Sequence, residues 1–320
     1  MTNIFDKLKF TGIEIGSVQS VDEMSVVPIL GGDRGNISDP EALSFVGTSE
    51  YGTMVFENEG DNPAIVPTNM MARGPRAQDH AMSSSGIVMK GRKSFYSACC
   101  IEQTQGGHLT RENNELDVLP IQLRKDLVEE TFRKASDYSK LWGKISDWLR
   151  GLPTNHRGSA HLRYFYDTPD IKTALEDFAS EFEPVDGQIG AIIMFCGVPV
   201  GIEIMPSSRH WEAYWKLLIR GCYGAELMRL KMLGKVKESA LILPEIPAGS
   251  DPEKVEEIIS NFSLHLRQNV LPILEKINIK SQKLFYKEGP MSTSLITTNG
   301  GGGGDLILQG SVPVYLSLVL

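Results

Sequence analysis

Two runs of chain constrain the fold more than any other feature. Gln188 to Phe195 and Val198 to Ile204 are apolar at nearly every position, and only Cys196-Gly197 separates them. A strand with one wet face alternates polar and apolar residues. A run without alternation needs cover on both faces. A two-residue connection containing glycine turns the chain back on itself, so the runs pair as an antiparallel hairpin. The chain therefore holds a sheet whose centre is buried from both sides.

The cover is predicted to be helical. Between Leu123 and Leu149, apolar residues fall at Leu127, Thr131/Phe132, Ala135, Tyr138, Trp142, Ile145 and Leu149, which keeps them on one helical face, and Gly151 with Pro153 stops the element. Thr168-Pro169 opens a second helix with Ile171, Ala174, Leu175, Phe178 and Phe182 on one stripe. Ser207-Ser208 caps a third, whose Trp211 and Trp215 are core anchors against the hairpin. Ser250-Asp251-Pro252-Glu253 is a capping box for a fourth, which Pro272 kinks or ends.

The first third reads as strands and turns. Residues 1–24 are polar and mixed and suggest weak structure. Ser25 to Leu30 is a strand, and Ser38-Asp39-Pro40-Glu41 caps a short helix that Gly47 ends. Gly52 to Glu57 and Ala64 to Asn69 form a hairpin across the Asn58 to Pro63 turn. A second pair joins Ile87–Met89 to Ser94–Glu102 around Gly91. Lys283–Tyr286, Ile307–Leu308 and Val312–Val319 close the chain as strands, with Gly300 to Gly304 as a flexible loop. The expected fold class is α+β, with antiparallel or mixed sheets and several amphipathic helices in one large unit spanning 25–320. That unit is β-rich over 25–109 and helical over 123–182, with the hairpin, further helices and closing strands over 188–320.

Charge and motif content narrow the function. The net charge of -8 over 320 residues argues against nonspecific nucleic-acid binding, which is driven by counterion release onto basic surfaces. No stretch approaches a membrane span, and the start lacks a signal-like apolar core, so a cytoplasmic location is expected. Cys99, Cys100, Cys196 and Cys222 form no CxxC pair and read as buried thiols. The loop containing His156, Arg157, His161 and Arg163 lacks metal-ligand spacing, so no metal is expected. The glycine run lacks the Lys-Ser/Thr of a P-loop, and Gly31 to Gly35 opens no βαβ unit. No cofactor is called for.

Polar side chains of interest cluster between Asn69 and His108. Arg73, Arg76, Gln78 and Asp79 surround Gly74-Pro75. Arginine offers a fork for phosphate, and glycine lets backbone approach a ligand. The competing reading is a solvated turn. Glu102 ends an apolar strand, where a carboxylate can serve as general acid or base, with His108 six residues on to assist. The competing reading is a structural ion pair with an arginine. Glu203 lies inside the apolar hairpin and needs a partner, for which Arg73 and Arg220 are candidates, or an exposed edge position.

Three segments together resemble a known family. They are Val26 to Leu30 with Asp39 to Leu43 and Gly52 to Glu57; Asn69 to His108 with Gly74, Gln78 and Cys99-Cys100-Ile101-Glu102-Gln103; and Gly190 to Ile193 with Gly197, Gly201-Ile202-Glu203, Trp215 to Leu218 and Val312 to Leu318. Their order is similar to that of the ARG and Rhodanese-Phosphatase-superfamily-associated Protein domain family, in which ARG stands for ADP-ribosylglycohydrolase. The resemblance implies a role with ADP-ribose or NAD-derived metabolites through the company the family's genes keep. Where the family shows Gly-Arg-Trp this chain has Gly107-His108-Leu109, and Tyr315 stands where the final strand often carries a histidine.

The reading that follows is binding or processing of an ADP-ribose- or nucleotide-like phosphorylated metabolite. Arg73, Gly74, Arg76, Gln78, Asp79 and Glu203 would form the binding set, and Glu102 with His108 would do any proton transfer. The rival is a non-enzymatic interaction or assembly protein with no small-molecule site. The sequence decides neither catalysis nor oligomeric state.

Overall fold

A computed structural model describes residues 3–103, 105–153, 160–236 and 249–320. The apolar hairpin lies at the middle of a nine-stranded sheet. In order across the sheet the strands are Ile13–Ile15, Met24–Gly31, Gln188–Phe195, Val198–Ile204, Val312–Val319, Gly303–Gln309, Met291–Thr298 and Ile279–Glu288, with Gln19–Val21 also on Met24–Gly31. Every pairing is antiparallel. Cys196 and Gly197 both take positive φ, +50° and +79°, the left-handed geometry a two-residue hairpin needs.

Both faces of the hairpin are covered, as uninterrupted apolarity requires. On one side Ile192, Met194, Ile202 and Ile204 pack with Ile4, Phe5, Leu8 and Phe10 and with Val270 and Leu274 of the Pro252–Lys276 helix. On the other, Ala191 and Ile193 meet Trp211, Leu218, Cys222 and Tyr223. The fold is α+β. Residues 3–24 are better anchored than their polarity suggested. Asn3 caps the Ile4–Lys7 helical turn, whose Ile4 and Phe5 are buried, and two short strands follow. Four well-spaced apolar side chains outweigh the polar average of that segment.

Several local expectations fail for a shared reason, long-range pairing. Ser38 caps no helix. Its hydroxyl donates to the Asn62 carbonyl, and after a 3₁₀ turn at Pro40–Ala42 the chain enters the Leu43–Gly47 strand. The two expected hairpins are re-paired. Met54–Asn58 lies between Leu43–Gly47 and Gly91–Phe95, while Ala64–Val66 pairs with Gly86–Val88. Cys99–Cys100 belongs to a separate four-stranded sheet with His80–Ala81, Met70–Arg73 and Glu115–Val118. Gly303 and Gly304 are strand residues rather than loop.

The expected helix from Leu123 to Leu149 is three pieces, Ile121–Asp126, Glu130–Lys134 and Trp142–Leu149. On one continuous helix, Arg124 and Arg133 would point to opposite sides, because each residue turns the helix by about 100°. The breaks let both reach inward, Arg124 to Glu203 and Arg133 to Asp305. The third predicted helix runs as Ser208–Leu217, a π-helical segment Leu218–Gly224, and Ala225–Met232. Asp251 caps the fourth, which carries Pro272 inside it and continues to Lys276.

Candidate functional site

The candidate site grows from the end of the Met70–Arg73 strand. That strand is hydrogen-bonded on both sides, so Arg73 is held opposite Glu115 with little freedom. Beyond it the chain turns through Gly74 to Asp79. A Cβ at Gly74 would lie 2.1 Å from the Asn113 carbonyl oxygen, so only glycine fits. The Gly74 amide donates to Asp79 Oδ1 at 3.0 Å, which closes the turn.

Arg163, on the short Arg163–Tyr166 helix, locks this turn from outside. Its Nε donates to Asp79 Oδ2 at 2.7 Å and its Nη2 to Asp79 Oδ1 at 2.6 Å, a fork on a carboxylate. Nη2 also donates to the Gly74 carbonyl. Behind Asp79 lies Glu102, fully buried. Its Oε2 accepts from the Asp79 amide at 3.2 Å, and Arg163 stands 3.8 Å away. His161 Nε2 lies 2.7 Å from Glu102 Oε1. Burial pushes the Asp79 carboxyl up to about 6 despite the Arg163 hydrogen bonds, and the neighbouring Glu102 adds to the rise.

In front of the turn is a cleft of about 370 Å³, lined by Arg73, Gly74, Asn113, Glu115, Arg163 and Lys172 among others. Arg73 Nη1 donates to Asp167 Oδ1 at 2.8 Å and Nη2 to Glu115 Oε2 at 3.2 Å, with Asp117 at 3.7 Å and the Tyr166 ring below at 4.9 Å. Asp167 and Glu115 are 51% and 60% exposed, so they hold Arg73 only weakly against a competing anion. Lys172 sits 3.8 Å from Glu115. Two guanidinium groups and an ammonium thus border one polar cleft. Among the described residues, no three His, Cys, Asp or Glu side chains are placed to hold a metal ion.

The family model of the ARG and Rhodanese-Phosphatase-superfamily-associated Protein domain matches residues 12–267. The chain belongs to this family. The match spans every residue of the cleft and the buried cluster behind it, while Tyr315 lies beyond it. Neither the curated proteins nor the solved structures searched give a match.

Against this family frame the expected site residues divide. Arg73 and Gly74 line the cleft, and Gln78, Asp79 and Glu102 pack together behind it, Gln78 Nε2 donating to the Glu102 carbonyl at 3.1 Å. Arg76 sits exposed at the turn tip with φ +60°. His108 does not partner Glu102. It is exposed and its ring faces Tyr51 at 5.5 Å, because Gly107, at φ +105°, swings the chain outward. His161 takes the place expected of it.

Glu203 is elsewhere and meets neither Arg73 nor Arg220. It is buried against Arg124 at 2.8 Å and the Tyr223 hydroxyl at 2.7 Å, because its strand lies in the centre of the main sheet. Arg220 instead binds Asp117 at 2.8 Å. Leu109 is core. Tyr315 is buried, with its hydroxyl accepting from the Thr68 amide at 2.8 Å. His156 and Arg157 lie outside the described residues. Among the described residues no helix is long and apolar enough to cross a membrane.

Arg163, His161, Asp167 and Lys172 carry much of the site without having been singled out for it. No local pattern marks them, since their partners lie 57 to 94 residues earlier in the chain. The one signal was Glu102, a carboxylate ending an apolar strand and therefore in need of a cation.

Proposed function

We propose that the cleft bordered by Arg73, Gly74, Arg163 and Lys172 binds a phosphorylated metabolite of the ADP-ribose or nucleotide class. The observation that carries this reading is the convergence of three cationic groups on one cleft of about 370 Å³, within the ordinary range for small-molecule sites. An incoming phosphate would take Arg73 from the exposed Glu115 and Asp167 carboxylates, and Lys172 would add a point charge at the rim. Asp79 would keep Arg163 oriented from behind. The family's association with ADP-ribosylglycohydrolases names the metabolite class to try first.

Titration calorimetry tests it. ADP-ribose is expected to bind with an affinity that falls as salt rises, and Lys172→Glu, on an exposed helix position, is expected to weaken binding at least about ten-fold. No heat from ADP-ribose, NAD or inorganic phosphate at millimolar ligand removes the reading.

A second reading, a binding or assembly protein without chemistry, is supported by the complete burial of Glu102 behind Arg163. Recovery of ADP-ribose intact after long incubation favours it, and release of a product favours Glu102 and His161 as a proton-transfer pair.

A further inference from the structure

A second cavity, of about 470 Å³, lies away from the cationic cleft. It opens between the Pro169–Ser180 helix, the Ala225–Met232 helix and Asp22, in the turn between the Gln19–Val21 and Met24–Gly31 strands. Its floor is apolar, with Phe178, Leu227 and Met228. Its rim carries the carboxylates of Asp22, Asp177 and Glu181 against a single ammonium, Lys231. Lys231 is already engaged, 2.7 Å from both Asp22 and Glu23.

The two remaining carboxylates are placed against local rules. Asp177 and Glu181 stand four apart on one helix face, where like charges repel. Both lie at the helix's C-terminal end, where the backbone dipole disfavours anions, and no basic residue occupies its last turn. Among the described residues neither has an ion-pair partner. Both are exposed to solvent at the rim of a cavity whose lining includes an aromatic ring, a leucine and a polarisable thioether.

We propose that this cavity binds a small organic cation, an ammonium group carried on an aromatic or apolar body. The body lies on Phe178, Leu227 and Met228, and the ammonium is held between Asp177 and Glu181. Charge complementarity decides the ligand class, and the apolar floor separates it from a hydrated metal ion.

Tryptamine and indole-3-propionate, which share a ring and differ in charge, are the probes, titrated into the full chain and followed by calorimetry. Tryptamine is expected to bind at least ten-fold tighter. The Asp177→Asn/Glu181→Gln pair is expected to weaken tryptamine at least ten-fold with the melting temperature unchanged or raised, since the substitutions relieve repulsion. Lys172→Glu, in the cationic cleft, is expected to leave tryptamine binding unchanged, so the failure of one site is distinguishable from failure of the other. Absence of tryptamine binding, equal affinity for the two probes, or affinity indifferent to the double substitution overturns the proposal.

Discussion

Asp79 and His80 are neighbours whose titrations oppose one another. The Asp79 carboxyl is raised from 3.8 to about 6 by burial. The His80 imidazole is lowered from 6.5 to about 4, also by burial, against the opposing pull of its hydrogen bond to the Gln78 carbonyl at 2.9 Å, while its Nε2 accepts from the Gly52 amide at 3.0 Å. The folded state holds the Asp79 proton more tightly than the unfolded state. That contribution is present below pH 3.8 and is lost as pH rises toward 6. The folded state resists protonating His80, so that contribution is present above pH 6.5 and is lost as pH falls toward 4. Between pH 4 and 6 the two slopes partly cancel. Asp79→Asn removes one of them. The variant is expected to gain stability with rising pH more steeply than the parent, by on the order of 2 kcal/mol across the window. Urea midpoints at several pH values read the slope, which is independent of the loss from unpairing Arg163. Equal slopes in the two proteins count against the buried-acid account. At this scale the sequence showed Glu203 as a carboxylate needing a partner and Glu102 as a candidate for an ion pair with an arginine, but not which cation would come to either. Charge demand is local, whereas its satisfaction depends on tertiary placement.

Elements were legible where one periodicity acted alone. The 188–204 hairpin, the Pro169–Ser180 helix and the Asp251-capped helix follow from pattern and caps. Pattern failed where a buried arginine had to be re-aimed, as in the split middle helix, and where a turn signal was real but its flanking strands found other partners. The π-helical Leu218–Gly224 segment had no periodic signature either, and contact explains it. Gly221 sits against Asp117 so closely that an added Cβ would lie 1.6 Å from Oδ1, and its carbonyl accepts from the Tyr166 hydroxyl at 2.5 Å. The wider π turn admits the Asp117 carboxylate and presents Arg220 to it. Gly221→Ala is therefore expected to cost about 2–3 kcal/mol through overpacking. Gly143→Ala, in a helix with open space at that position, is expected to be neutral or stabilising by up to about 1 kcal/mol. Denaturant unfolding of both variants checks this. A Gly221→Ala protein as stable as the Gly143→Ala one would show that the helix regains regular geometry at no expense.

At the scale of the whole molecule, one buried ion pair joins elements far apart in the chain. Arg124 comes from the Ile121–Asp126 helix and Glu203 from the central hairpin. Arg124 also donates to Ser317 on the closing strand, and Tyr223 of the π segment donates to Glu203. Both charged side chains are 1% exposed. A lone apolar strand with one glutamate foretold that a partner must exist, but the partner's identity depended on how the middle helix breaks. The pair is better understood as a constraint on assembly than as a source of stability, because desolvating two charges offsets most of their attraction. Arg124→Met leaves Glu203 buried without its cation and is expected to cost about 3–5 kcal/mol. Adding Glu203→Leu removes the uncompensated charge, so the double variant is expected to be more stable than Arg124→Met alone, even though Tyr223 and Ser317 lose a partner each. Urea unfolding of the four proteins of the cycle measures the coupling. Strictly additive losses would mean that the two side chains act independently, and that packing of the strands around them, rather than their charges, holds the middle helix against the sheet.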